Sequence, residues 1–183
     1  MIQTKVCEKS FFAGFGGQGI LSLGQVWVYF AMKEGKNVTF FPFYGAEKRG
    51  GIARASVIIS DEEIASPLVV TPDSVLVMNI DSLPLCEGIV KPGGLMLINS
   101  TLVKEEPKRK DIKINKVEAS GLAEKIGDIR IANMVALGAM ARLTGALSLA
   151  NIEDILKKFF PPDKHSFVPM NAEAIRAGFE AVS

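Results

Sequence analysis

Cysteine and histidine are scarce in this chain. Of its 183 residues, two are cysteines, Cys7 and Cys86, and one is a histidine, His165. Two cysteines far apart in sequence make neither a disulfide framework nor a four-thiolate cluster. A single histidine excludes a His-rich metal site. Each cysteine reads as a small buried hydrophobe, and His165, between Lys164 and Ser166, as a surface residue with no catalytic role. No stretch reaches the ~18 uninterrupted apolar residues of a membrane span. The opening MIQTKVCEKSFF lacks the apolar run and small-residue cleavage site of a secretory signal. A surplus of one charge is missing too. Lys and Arg number 21 against 20 Asp and Glu, for a formal net charge of +1, which argues against a nucleic-acid surface. The expectation is a cytoplasmic, reduced protein with no metal centre of its own and neither a membrane nor a nucleic-acid partner.

Apolar residues, by contrast, are plentiful, at 48% of the chain. The mean hydropathy of +0.25 is high for a soluble protein and implies that part of the surface is covered by something else. At ~100–200 residues per domain the chain reads as a single domain over 1–183. A chain of this length buries roughly 70% of the surface its unfolded form exposes, enough for its own core.

The pattern along the chain alternates strands and helices. Residues 10–13 (SFFA) read as a buried strand that runs into the glycine-rich GFGGQG. Residues 20–35 read as a helix with Ile20, Leu23, Trp27 and Phe30 on one face and Gly35 as its stop. Leu21, Val28 and Met32 lie on its other faces, so the helix is expected to be covered on more than one side. Residues 37–43 and 52–60 read as strands, with Pro42 placing the first at a sheet edge or rim. Residues 74–80, 95–99 and 112–117 complete the set, the first of these apolar enough for burial on both faces. Asp81 or Ser82 is placed to cap a short helix towards Val90. The charge run 104–110 reads as a solvated loop. From Ala119 the pattern turns helical. Residues 131–145 suit a tightly packed buried helix, 149–160 an amphipathic one ending at Pro161-Pro162, and Asn171 caps a last helix to Val182. The fold class is therefore α/β: a mostly parallel twisted sheet flanked by helices, with a Rossmann-like start and a helical C-terminal part.

Gly14, Gly16 and Gly19 satisfy G-x-G-x-x-G between a strand and a helix. Glycines there let the backbone turn tightly and approach a ligand closely, and free N–H groups at a helix start favour an anion such as phosphate. Gly17 and Gln18 complete that turn. A dinucleotide site also needs an acid at the end of the second strand, ~20 residues on. Val38-Thr39-Phe40-Phe41-Pro42 offers none, and the nearest carboxylate is Glu47 in the next loop. That loop, 44–51, supplies the phenol of Tyr44, the carboxylate of Glu47, the cations Lys48 and Arg49, and the flexible Gly50 and Gly51. Arg49 suits a phosphate or carboxylate, being permanently charged with a planar fork of donors. It lies at the same sheet end as the glycine turn if the first two strands are parallel. Asn79, at the end of the fourth strand, is placed to face the cleft, because ligands gather at the carboxyl ends of parallel strands. A packing-only role for the glycines and an exposed-turn role for the loop remain open on these residues alone.

Together these segments resemble a known family. GFGGQG, YGAEKRGG about 25 residues later, ASVIISDEEIASPLV and SVLVMNIDSL are similar to the gamma subunit of 2-oxoacid:ferredoxin oxidoreductases. The resemblance runs in order from about Phe12 to Leu83 and resumes at 133–138 (NMVALG) and Asn171. It implies an enzyme subunit, not active alone, in a complex that oxidatively decarboxylates a 2-oxoacid, transfers the acyl group to coenzyme A and passes electrons to ferredoxin. It implies thiamine diphosphate and iron–sulfur clusters on partner subunits, thiamine-binding and ferredoxin-like, and this chain has neither a thiamine motif nor a cysteine set for a cluster. It further implies a hetero-oligomer whose isolated gamma chain self-associates. The implied role is to help hold coenzyme A and close the active site. Gly14, Gly16, Gly17, Gln18 and Gly19 would hold a phosphate of coenzyme A, while Tyr44, Glu47, Arg49, Gly50 and Asn79 would line the approach to the partners. Arg49-Gly50-Gly51 is closer to the 2-oxoglutarate and branched-chain 2-oxoacid enzymes than to the pyruvate ones. Ala46 and Lys48 depart from the Pro and Met of that group, and the substrate stays open. Two other readings stand beside this one: a stand-alone dinucleotide-dependent oxidoreductase, and a purely structural interaction subunit.

Overall fold

Alternating and continuous apolar runs at the start of the chain build strands, and the first is longer than its apolar centre: β1 spans Cys7–Phe15. The computed structural model describes residues 6–43 and 51–183. After β1 come α1 (Ile20–Lys33), β2 (Asn37–Phe43), β3 (Ile52–Ser60), β4 (Ser74–Val77), α2 (Leu83–Ile89), β5 (Leu95–Asn99) and β6 (Lys113–Val117). Four helices close the chain: α3 (Ala119–Ile126), α4 (Ala132–Thr144), α5 (Ile152–Phe159) and α6 (Val168–Glu180).

The strands form one sheet in the order β2-β3-β1-β4-β5-β6. β1, β4, β5 and β6 pair in parallel. β3 runs antiparallel to both β1 and β2. It is therefore the one reversed strand, and β2 points the same way as β1 without touching it. The sheet is mostly parallel, as the alternation of strands and helices implies. β2 is an edge strand, which accommodates Pro42 and its missing N–H.

Two apolar layers cover the sheet. On one face Phe12, Ala55, Val57, Ile59, Leu76 and Leu97 pack under the helices, which bury Ile20, Leu23, Trp27 and Phe30 of α1 and most of α4. The other face carries a smaller cluster, Phe11, Ala13, Val75, Val77, Met96 and Ile98, covered by Leu83 and Cys86 of α2 and by Val103 and Ile112. α1 ends as expected, with Gly35 N–H donating to Met32 O and Lys36 N–H to Ala31 O. Leu21 and Val28 are partly covered, but Met32 is exposed.

Several expectations shift. β4 stops at Val77, three residues early, and a short 3₁₀ turn, Ile80–Ser82, follows. Ser82 stands at the start of α2 but does not cap it, because its hydroxyl donates to the Asn79 side chain. Asn171 does not begin the last helix. A 3₁₀ turn over Pro162–Phe167 leads straight into α6 at Val168, and the Asn171 amide donates back to Phe167 O at 2.7 Å. His165 is half-buried, and its Nε2 lies 3.0 and 3.1 Å from Lys157 O and Phe160 O, holding the end of α5. Cys7 is exposed. Cys86 is buried, and burial pushes its thiol up to about 12.

Candidate functional site

The glycine turn sits where the connections leave the sheet in opposite directions. β1 passes through it to α1 on one face, and β4 passes through Met78 and Asn79 to α2 on the other. In open α/β sheets, such a switch point at the carboxyl ends of adjacent parallel strands is where ligands bind.

The turn is held by its own side chains. Gln18 N–H donates to Phe15 O at 3.1 Å. The Gln18 amide bridges outwards: its Oε1 accepts from Phe15 N–H at 2.7 Å, and its Nε2 donates to Met78 O at 3.3 Å across the switch point. Gln18 is thus a staple between the β1 and β4 ends, and its side chain does not project freely towards a ligand. From the far side Asn133 Nδ2 donates to Gly19 O at 3.0 Å. Asn133 is 114 residues away in sequence, so no local pattern announces that contact; the NMVALG resemblance was its one trace. Asn133 and Asn171 share with Gly19, Ser22, Arg130 and Phe167 the wall of a cavity of about 250 Å³ beside the α1 N-terminus. At its rim the Arg130 guanidinium holds the Asp128 carboxyl below the usual range.

Three of the four motif glycines have a reason inside the fold. A β-carbon on Gly14 would lie 2.6 Å from Gln18 Oε1 and 2.9 Å from Met78 Cβ. Gly17 has φ +101° and Gly19 has φ +70°, conformations that side-chain-bearing residues rarely adopt. Gly16 differs. Its φ is ordinary, and a β-carbon there would meet nothing nearer than Gly51 O at 3.8 Å. Its surroundings leave room that nothing among the described residues fills.

Three backbone donors at the helix start have no partner among the described residues. The N–H groups of Ile20, Leu21 and Ser22 precede the first intrahelical bond of α1, Leu23 N–H to Gly19 O. Gly16 N–H is taken, donating to Gly51 O at 3.1 Å. Asn79 is 2% exposed, and its Oδ1 accepts from the Ser82 hydroxyl. Its Nδ2 is buried with no partner among the described residues. A pinned acceptor and an unused donor leave this amide set to donate, while the helix start favours negative charge. The arrangement suits an oxygen-rich anion, phosphate or carboxylate.

Tyr44, Glu47, Arg49 and Gly50 lie outside the described residues. Both flanks of their loop do not. Phe43 pairs with Arg54, Ile52 pairs with Phe15, and Gly51 is bonded to Gly16, so the loop leaves and re-enters the sheet at the glycine-turn end. The same register removes the ground for a dinucleotide site. β3 occupies the place beside β1 where a Rossmann fold puts its second strand with the ribose-binding acid.

Residues 9–181 match the family described as pyruvate ferredoxin/flavodoxin oxidoreductase. The chain is 37% identical over 170 residues to ketoisovalerate oxidoreductase subunit VorA of Methanothermobacter thermautotrophicus; the match takes in 92% of this chain and 35% of that subunit, so the chain spans about a third of that relative's length. It is 34% identical over 177 residues to 2-oxoglutarate synthase subunit KorC of Methanothermobacter marburgensis, covering 93% of this chain and 94% of that one. The crystal structure of a keto/oxoacid ferredoxin oxidoreductase gamma subunit from Geobacter sulfurreducens superposes with a TM-score of 0.81 at 30% identity, covering 95% of this chain and 97% of that one.

Proposed function

The chain belongs to the pyruvate ferredoxin/flavodoxin oxidoreductase family, and from that membership we propose that it is the gamma-type subunit of a 2-oxoacid:ferredoxin oxidoreductase. Its partners are thiamine-binding and ferredoxin-like subunits, and its task is to hold coenzyme A at the glycine turn. The whole complex oxidises a 2-oxoacid to an acyl-coenzyme A and reduces ferredoxin. Thiamine diphosphate, held by a partner subunit, supplies the carbon chemistry, and iron–sulfur clusters on another carry the electrons.

The observation that carries the assignment is the switch-point turn, with donors unpartnered among the described residues and open room at Gly16. A phosphate of coenzyme A there accepts from the first-turn N–H groups of α1 and from Asn79 Nδ2. Gln18 acts as a positioning residue, fixing the turn against Met78. Tyr44, Glu47, Arg49 and Gly50 face the thiamine-bearing subunit and orient the carrier towards the acyl group. Holding two reactants in register is worth several kcal/mol of barrier, so such a chain contributes to rate without covalent chemistry of its own. The Arg49-Gly50-Gly51 form is closer to the 2-oxoglutarate and branched-chain 2-oxoacid enzymes than to the pyruvate ones, while Ala46 and Lys48 leave the 2-oxoacid open.

Reconstitution tests this. The co-expressed complex, purified without oxygen, should reduce a low-potential dye only when a 2-oxoacid, coenzyme A and this chain are all present. Undiminished activity without this chain, or oxidation of a substrate with NAD by this chain alone, contradicts the reading.

A further inference from the structure

Five buried side-chain polar atoms lack a hydrogen-bond partner among the described residues: Trp27 Nε1, Thr39 Oγ1, Arg54 Nε, Ser56 Oγ and Asn79 Nδ2. Asn79 belongs to the switch point and Trp27 to the helical layer. The other three lie together on the opposite face of β2 and β3. Strand alternation places them there: Val38, Phe40, Ala53, Ala55 and Val57 pack towards the α1 layer, so Thr39, Arg54 and Ser56 point away from it. In the β2–β3 register Phe41 pairs with Ser56 and Phe43 with Arg54.

Arg54 is half-buried and makes no hydrogen bond or ion pair among the described residues. Its guanidinium lies 6.0 Å over the Phe43 ring. Phe43 in turn contacts Phe41 at 4.9 Å and Phe11 at 6.3 Å, and Phe41 is 39% exposed. A permanently charged group partly removed from water, with no counter-charge among the described residues, is costly to keep. Of these groups Arg54 is the charged one and can only donate, whereas the Thr39 and Ser56 hydroxyls both donate and accept, so the call for an acceptor of negative sign comes from Arg54. From Thr39 to the row of Arg54 is four residues of strand, roughly 13 Å, longer than one small anion and suited to an extended chain. β2 is the sheet edge, and no strand among the described residues pairs with its outer side.

We infer that this face of β2 and β3 is the docking surface for an acidic, extended segment of a partner subunit, one carboxylate of which pairs with Arg54 beside the exposed Phe41 ring. The inference rests on the reading of the chain as a subunit, and it names a surface separate from the glycine turn.

Two measurements on the co-expressed complex test it. The first is Arg54→Leu, which keeps apolar contact with Phe43 and removes the charge. It should leave the melting temperature of the isolated chain unchanged or higher, and weaken association with the partner subunits at least tenfold. A lowered melting temperature of the isolated chain, or undiminished association, overturns the inference. The second places the photoreactive p-benzoylphenylalanine at position 41 of the assembled complex. Cross-links should map by mass spectrometry to a partner peptide containing Asp or Glu. Cross-links confined to this chain, or protection of Arg54 by inorganic phosphate in the intact complex, overturn it. Failure of any partner to co-purify defeats the subunit reading as well, whereas assembly without a position-41 cross-link defeats this surface alone.

Discussion

Glu8 and Gly16 show how differently single residues are constrained at the two ends of β1. At the lower end, Glu8 Oε1 accepts from the hydroxyls of Ser74 at 2.6 Å and Ser10 at 3.3 Å. Burial raises its carboxyl above the usual range, opposed by the Ser74 bond and augmented by the charge of Asp73, which itself pairs with Lys91. The folded chain therefore holds this proton more tightly than the unfolded chain does. The contribution is present at pH below the ordinary carboxylate range and is lost as pH rises towards the raised folded value. Glu8→Gln keeps the acceptor and abolishes the charge. It should raise the melting temperature at pH 7, and the gain should vanish at acid pH. A variant less stable at pH 7, followed by circular dichroism, contradicts the assignment. At the upper end, composition and motif already marked Gly14, Gly16, Gly17 and Gly19, but they could not say which glycines serve the fold. The fold separates them: a side chain at Gly14 would meet Gln18 and Ile20 from its own turn and Met78 from β4's end, and one at Gly19 would meet Asn133, remote in sequence.

Elements whose character depends on local pattern were legible in the sequence. β2, β3 and β5 have the bounds that alternation and turn residues imply, and α1 buries the face that its spacing marks. Ends set by distant contacts were not legible. β4 is shortened as Asn79 turns to Ser82, and α6 starts early because the 3₁₀ turn before it feeds straight into the helix. The helical tail carries its own constraint. α4 and α6 cross so closely that a β-carbon at Gly138 would lie 1.9 Å from Ile175 O, and one at Gly178 would lie 1.8 Å from Val135 O. Either Gly138→Ala or Gly178→Ala should cost roughly 3 kcal/mol or more, since the backbones themselves must part. A denaturant midpoint equal to that of the parent chain would contradict this packing. The loss should propagate to the glycine turn, because α4 carries Asn133.

At the scale of the molecule, the class of fold was readable but the strand order was not. Nothing in residues 52–60 says that this strand inserts in reverse between β1 and β2. That insertion brings Gly51 against Gly16 and displaces the strand end that a dinucleotide site requires. It joins the two sequence motifs, glycine turn and loop flank, at one end of the sheet. The high mean hydropathy has one counterpart in the exposed Phe41, which the inferred docking surface would cover. The account stands most directly on Gly16, the one motif glycine that the described fold does not require. The deciding measurement is the KM for coenzyme A of a reconstituted complex carrying Gly16→Val, read beside the melting temperature of the variant chain. The account predicts an unchanged melting temperature and a KM raised about tenfold, equivalent to ~1.4 kcal/mol of lost binding. A KM equal to that of the parent complex would contradict it.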